Sequence, residues 1–90
     1  MISLYVRSSV ADFATHRSVF NSHEAFRRAN GASGVVQTYQ DVDNPNQVTT
    51  IIEWDTIENV RKFASSPELK EAMRAAGVTN APEVHFLTRS

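Results

Sequence analysis

The chain has 90 residues, 41% hydrophobic and 21% charged, a balance typical of one folded domain with a small core. Its formal net charge of -1 supplies no basic footprint for nucleic acid or acidic lipid, and the absence of cysteine excludes disulfide and thiolate chemistry. No stretch approaches the roughly 18 apolar residues of a membrane span, and the N-terminal MISLYVRSSV lacks the basic segment of a signal peptide. The expectation is a single domain over residues 1–90, cytoplasmic, with a small molecule as its partner and neither nucleic acid nor membrane.

Residues 2–7, ISLYVR, alternate as a strand does. Ser9 is placed to cap the helix that follows, with Asp12 as its capping-box partner. That helix is expected to stop near Asn30, because Gly31 is the left-handed residue that commonly follows a helix C-terminus. GVVQTYQDV and QVTTIIEWD read as the second and third strands, and the turn residues of DNPNQ between them predict a hairpin. Asp55 and Glu58 form a capping box for a helix over TIENVRKFA. SSPELKEAMRAAG restarts it: Ser66 caps, Pro67 takes the first helical position and Gly77 ends the run. PEVHFLTR closes the chain as a fourth strand.

The order β-α-β-β-α-β predicts an α+β, ferredoxin-like fold with a four-stranded antiparallel sheet. Helices then cover one face of the sheet and leave the other open. The third strand offers Val48, Thr50, Ile52 and Trp54 on one side and Thr49, Ile51 and Glu53 on the other. Neither it nor the second strand has one clean apolar face, and this mixed surface predicts a homodimer packed sheet to sheet.

The first helix carries an unusual stripe. With Phe13 at zero and about 100° per residue, Phe20 falls near 340°, Val19 near 240° and Phe26 near 220°. His23, His16 and Arg27 fall at roughly 280°, 300° and 320°, inside that apolar arc. Burying such groups without partners costs about 1–3 kcal/mol for a neutral group and more for a charge. Two arrangements offset the cost. Strand side chains such as Tyr39, Gln37 or Glu53 can satisfy the histidines while Arg27 reaches an edge carboxylate. Alternatively, helix and sheet do not close, and the three groups point into a pocket. A neutral histidine there can take a proton, and Arg27 can hold a carboxylate, phenolate or enolate.

In the pocket arrangement His23 is the leading base, His16 its partner or the acid, and Arg27 with Tyr39 stabilises an oxyanion. Phe20, Trp54, Phe63 and Met73 supply apolar walls. His16 and His23 lie about 10.5 Å of helical rise apart, too far to share one ion, so no metal is expected. His85 alternates with Val84 and Phe86, which places it on the opposite face as a structural or interfacial residue.

Over nearly all of its 90 residues the chain resembles the dimeric α+β barrel superfamily, which includes antibiotic-biosynthesis monooxygenases, small polyketide cyclases and haem-degrading oxygenases. EWDTIENVRKFASSPELKEAM carries the resemblance most clearly, with a Trp ending the third strand, then a helix and a SPELKEAM segment. DVDNPNQV and the loop at 76–82 are similar to the small cyclase-like subgroup. The resemblance implies the dimeric barrel. It argues against haem degradation, since Phe63 and Met73 stand where that branch places a catalytic Trp and a haem-ligating His. Trp54 matches the aromatic residue of the quinone-forming monooxygenases, whereas their Asn and Arg have no assigned counterpart here.

Three functions follow. The leading expectation is an acid–base enzyme of the cyclase, dehydratase or isomerase type, acting without a cofactor on an aromatic or polyketide-like intermediate. The alternatives are a cofactor-independent monooxygenase of phenolic or quinol substrates and a non-catalytic ligand-binding or dimerisation module.

Overall fold

The computed structural model describes all of residues 1–90. Strand β1, Ile2–Ser9, lies inside the sheet, antiparallel to β3, Gln47–Trp54, on one side and to β4, Glu83–Thr88, on the other. Strand β2, Ala32–Gln40, pairs antiparallel with the far side of β3. The order β2-β3-β1-β4 makes this the ferredoxin-like α+β fold that the sequence pattern predicts. Each helical stretch is a pair of helices. The first comprises α1, Phe13–Ser22, and α2, Glu24–Ala29; the second comprises α3, Ile57–Ala64, and α4, Pro67–Ala75. No helix is long and apolar enough to cross a membrane.

Two caps differ from expectation. Strand β1 runs on to Ser9, which pairs with Gln47, so Ser9 cannot cap α1. Asp12 does so instead, accepting from the Thr15 N–H at 2.9 Å and from its hydroxyl at 2.8 Å. Those bonds hold the Asp12 carboxyl below its ordinary pKa. At α3 the cap is Thr56, which accepts from the Asn59 N–H at 3.2 Å; Asp55 supports it by accepting from the Thr56 N–H. Ser66 and Pro67 open α4 as predicted. Gly31 ends α2 with φ of +121°, and a Cβ there would lie 2.5 Å from Asp55 Oδ1. A glycine is what lets the Asp55 N–H reach the Gly31 carbonyl at 3.0 Å.

Strand register decides which side chains meet the helices. Leu4 faces Ile52 and Val36 faces the same Ile52 from the other side; Val6 and Thr38 flank Thr50. Along β3 the alternation is sharp in burial: Val48, Thr50, Ile52 and Trp54 are at most 5% exposed, while Thr49, Ile51 and Glu53 are half-buried on the open face. Leu4, Ile52, Trp54, Val60 and Phe63 form the core, with the Trp54 and Phe63 rings 4.7 Å apart. The open face carries Val35, Tyr39 and Leu87, all exposed, with His85 beside Tyr5 and hydrogen-bonded to Glu83 at 3.0 Å. Arg7 grips Asp41 there through two hydrogen bonds, which raise the pKa of the guanidinium and lower that of the carboxyl.

The first helical stretch is broken where the sequence suggested one continuous helix. Helix α1 packs on α4 and α2 packs on β2, and the chain bends between them at His23, with φ -99° and ψ 9°. Because α1 leans toward α4, it stands off β2 and leaves part of that strand uncovered.

Candidate active site

The bend at His23 interrupts the helical hydrogen-bond ladder and leaves the Phe20 carbonyl at a helix end, where it needs a donor. It finds two: the His23 N–H at 3.2 Å and Nη1 of Arg27 at 2.7 Å. Reaching back to that carbonyl lays the Arg27 guanidinium over the Phe20 ring, with Cζ 3.8 Å from the ring centroid. Arg27 is only 5% exposed, and burial pulls its pKa down from the ordinary value, although Glu24 acts in the opposite sense. A guanidinium remains a cation under these conditions. The ion pairs of the fold are Arg7–Asp41, Arg74–Glu71 and His85–Glu83. Arg27 is thus a buried cation with one carbonyl partner, one aromatic face and no carboxylate. Its other N–H groups are not sealed in protein, for the atoms both buried and unpartnered are His16 Nδ1 and Trp54 Nε1 alone.

His16, one turn before Phe20, stacks on that ring with centroids 6.1 Å apart and planes 20° from parallel. It is 9% exposed, its Nδ1 has no partner, and burial lowers its pKa, so the ring is neutral at pH 7. His23 is half-buried at the bend. Its Nδ1 lies 2.9 Å from the Val19 carbonyl, which makes Nδ1 the protonated nitrogen and Nε2 the one with the free lone pair. Ser22 Oγ, 3.2 Å from Nδ1, donates to the same carbonyl. The His23 ring is therefore held in the tautomer that a general base needs.

Beneath these groups lies a cavity of about 70 Å³. Leu4, Val6 and Ile52 form its apolar floor, Phe63, Leu69 and Met73 one wall, and His16, Phe20, His23 and Arg27 its roof. Two hydroxyls also line it. Ser8 and Thr50 are 4% and 5% exposed, make no side-chain hydrogen bond and are not sealed, so their oxygens face the cavity. Glu68, in the first turn of α4, sets an exposed carboxylate at the rim. On the other side of Phe20 and Arg27 a polar cleft of about 470 Å³ separates α1 from β2; His16 borders both spaces.

The histidine–arginine stripe thus comes together as the helical wheel predicts, with Phe20, Phe63 and Met73 in the same lining. Two expected members do not join it. Tyr39 pairs with Thr49 and is 52% exposed on the open face, with the sheet between it and Arg27, so it cannot stabilise an oxyanion held there. Trp54 shares the helix-facing side, but Phe63 and Val60 cover it completely, and it is a core residue instead of a cavity wall. Ser8, Thr50 and Glu68 were not singled out from the sequence. For Ser8 and Thr50 the signal is a small hydroxyl residue at a helix-facing strand position, visible only once the register is known.

No family model matches the sequence, and no curated protein sequence matches it significantly. Solved structures do match, over the whole chain. A protein designated an antibiotic biosynthesis monooxygenase from Bordetella bronchiseptica superposes with a TM-score of 0.80 at 19% identity, covering 99% of this chain and 96% of that one. SnoaB, a cofactor-independent oxygenase from Streptomyces nogalater, gives 0.78 at 22% identity, covering 99% and 92%. The ActVA-Orf6 monooxygenase of Streptomyces coelicolor, solved in complex with nanaomycin D, gives 0.70 at 18% identity, covering 99% and 87%. The chain shares the ferredoxin-like fold of antibiotic biosynthesis monooxygenase structures, in agreement with the resemblance in its sequence.

Proposed function

We propose that this protein is a cofactor-independent oxygenase that binds a phenolic or quinol-type aromatic under Arg27 and turns it into a quinone. The observation that carries this reading is the buried guanidinium of Arg27, which has no acidic partner and sits beside a histidine whose Nε2 is free to accept a proton. A site that keeps a buried cation without an ion-pair partner is built for an anion that arrives with the substrate. His23 takes the phenol proton and Arg27 holds the phenolate. The electron-rich ring carbon para to the oxyanion then bonds to dioxygen, and the hydroperoxide loses its distal oxygen as water. One phenol with a free para C–H and one O₂ give one quinone and one H₂O, with the oxygen reduced by the ring itself. His23 returns the phenol proton to the peroxide, then takes the proton of the para C–H as the O–O bond breaks and passes it to the departing hydroxide, which leaves as water. Likeness in fold to structures named as monooxygenases, SnoaB and ActVA-Orf6 among them, supports oxygenation over the cyclase expectation.

The experiment is oxygen uptake with a panel of naphthols and anthrols. The expected result is one O₂ consumed per quinone formed, lost under nitrogen and lost in Arg27→Met and His23→Gln. Absence of both uptake and quinone across the panel would overturn the proposal. Acid–base cyclisation or dehydration is the second reading, favoured by a neutral His16 that lines the same cavity as His23; its mark is turnover that persists without oxygen. The same proposal places two copies face to face through the open side of the sheet, in the cytoplasm. Only 12 of the 90 residues are buried in the single chain, and Val35, Tyr39 and Leu87 stand exposed on that face. Light scattering at micromolar concentration is expected to give twice the chain mass; a monomer would refute the pairing.

A further inference from the structure

The polar cleft between α1 and β2 is not used by the chemistry above, yet it is far larger than the cavity beside it, about 470 Å³ against about 70 Å³. The smaller space is roughly half of the 150 Å³ that houses a benzene ring in a dry protein cavity. A bicyclic phenol therefore extends past Phe20 toward the cleft. Arg27, Phe20 and His16 border both spaces, so the two are divided by side chains and not by backbone. On the cleft side, charge is distributed with one cation in excess: Arg17 and Arg27 against Glu24. Arg17 forms no ion pair with any carboxylate of the chain. Asn21, Thr38 and Gln40 add neutral polar groups along the same walls.

From these features we infer that the cleft is a second subsite, which receives a carboxylate carried on the far ring of the aromatic substrate, with Arg17 as its cation. The inference rests on the phenol-binding reading and narrows it to aromatic phenols bearing one acidic arm. Phe20 is the movable partition: its ring now occupies the face of the Arg27 guanidinium, and a substrate ring takes that place when the two spaces join. With the charge of Arg27 met by the phenolate, Arg17 is the cation left for the carboxylate. Glu24, which also lines the cleft, opposes it.

The test compares 2-naphthol with 6-hydroxy-2-naphthoate by titration calorimetry, on wild type, Arg17→Gln, Glu24→Gln and Arg27→Met. The carboxylate is expected to tighten binding to wild type by about five- to tenfold, the value of one exposed charge-assisted contact. Arg17→Gln is expected to erase that advantage while leaving the 2-naphthol Kd unchanged. Glu24→Gln is expected to enlarge the advantage, a gain of binding that misfolding cannot imitate. Equal affinity of wild type for the two ligands, or an advantage that survives Arg17→Gln, overturns the subsite alone. In that case loss of 2-naphthol binding in Arg27→Met still upholds the inner site. If neither ligand binds wild type, or Arg27→Met binds 2-naphthol unchanged, the subsite and the phenol reading fall together.

Discussion

Replacing His16 with leucine removes a polar atom that the fold buries without compensation. Nδ1 has no partner and no solvent contact, a situation that costs about 1–3 kcal/mol. Leucine is of similar size and joins an apolar lining. What is lost is the stack on Phe20 at 6.1 Å, worth about 0.5–1.5 kcal/mol at most. His16→Leu should therefore stabilise the protein by about 1 kcal/mol near pH 7.5, a rise of about 4–8 °C in Tm for a domain of this size. The effect also depends on pH. Burial lowers the pKa of His16 from its ordinary 6.5 in the folded chain, so the unfolded chain takes up the proton first. Wild-type stability is complete above the unfolded value and falls as pH drops from there through the folded pKa, by up to about 1.4 kcal/mol per pH unit. The variant lacks that slope, so its advantage widens between about pH 7.5 and 5.5. Urea unfolding at one fixed protein concentration measures both quantities. A variant less stable than wild type by more than about 1 kcal/mol, or an advantage that does not change with pH, would refute the reasoning.

His23→Leu should behave in the opposite way, losing about 0.5–1.5 kcal/mol in the same urea assay because it breaks the Nδ1 bond to the Val19 carbonyl. Thr50→Val should leave stability within about 0.5 kcal/mol, since its hydroxyl has no protein partner, while weakening 2-naphthol binding in calorimetry. Tyr39→Phe should leave kcat/KM for oxygen uptake unchanged, because the sheet stands between that hydroxyl and the cavity; a marked fall would return Tyr39 to the site.

The fold was legible because its signals are local. Alternation placed β1, the turn residues of DNPNQ placed the hairpin of β2 and β3, and Ser66, Pro67 and Gly77 bracket the last helix where the cap rules put them. The polar stripe was legible too, because a helical wheel needs only spacing. What local signals do not carry is register. Ser9 looks like a cap until its pairing with Gln47 makes it part of a strand. Tyr39 could be assigned to either side of the sheet from β2 alone, because neither face of that strand is cleanly apolar; its pairing with Thr49 puts it on the open face. The bend at His23 has no proline or glycine to announce it; it follows from α1 packing on one neighbour and α2 on another. Trp54 shows a third limit. Its face was readable from alternation, but whether it lines a void or is covered depends on where Phe63 and Val60 pack.

The central claim is that a phenol binds as its anion on Arg27. Absorbance titration of 4-nitrophenol bound to saturating protein tests it most directly, because the phenolate has its own colour. The account predicts that the bound phenol ionises at a lower pH than the free one, and that Arg27→Met abolishes the shift. A bound phenol that ionises at the same pH as the free one, or at a higher pH, would contradict it.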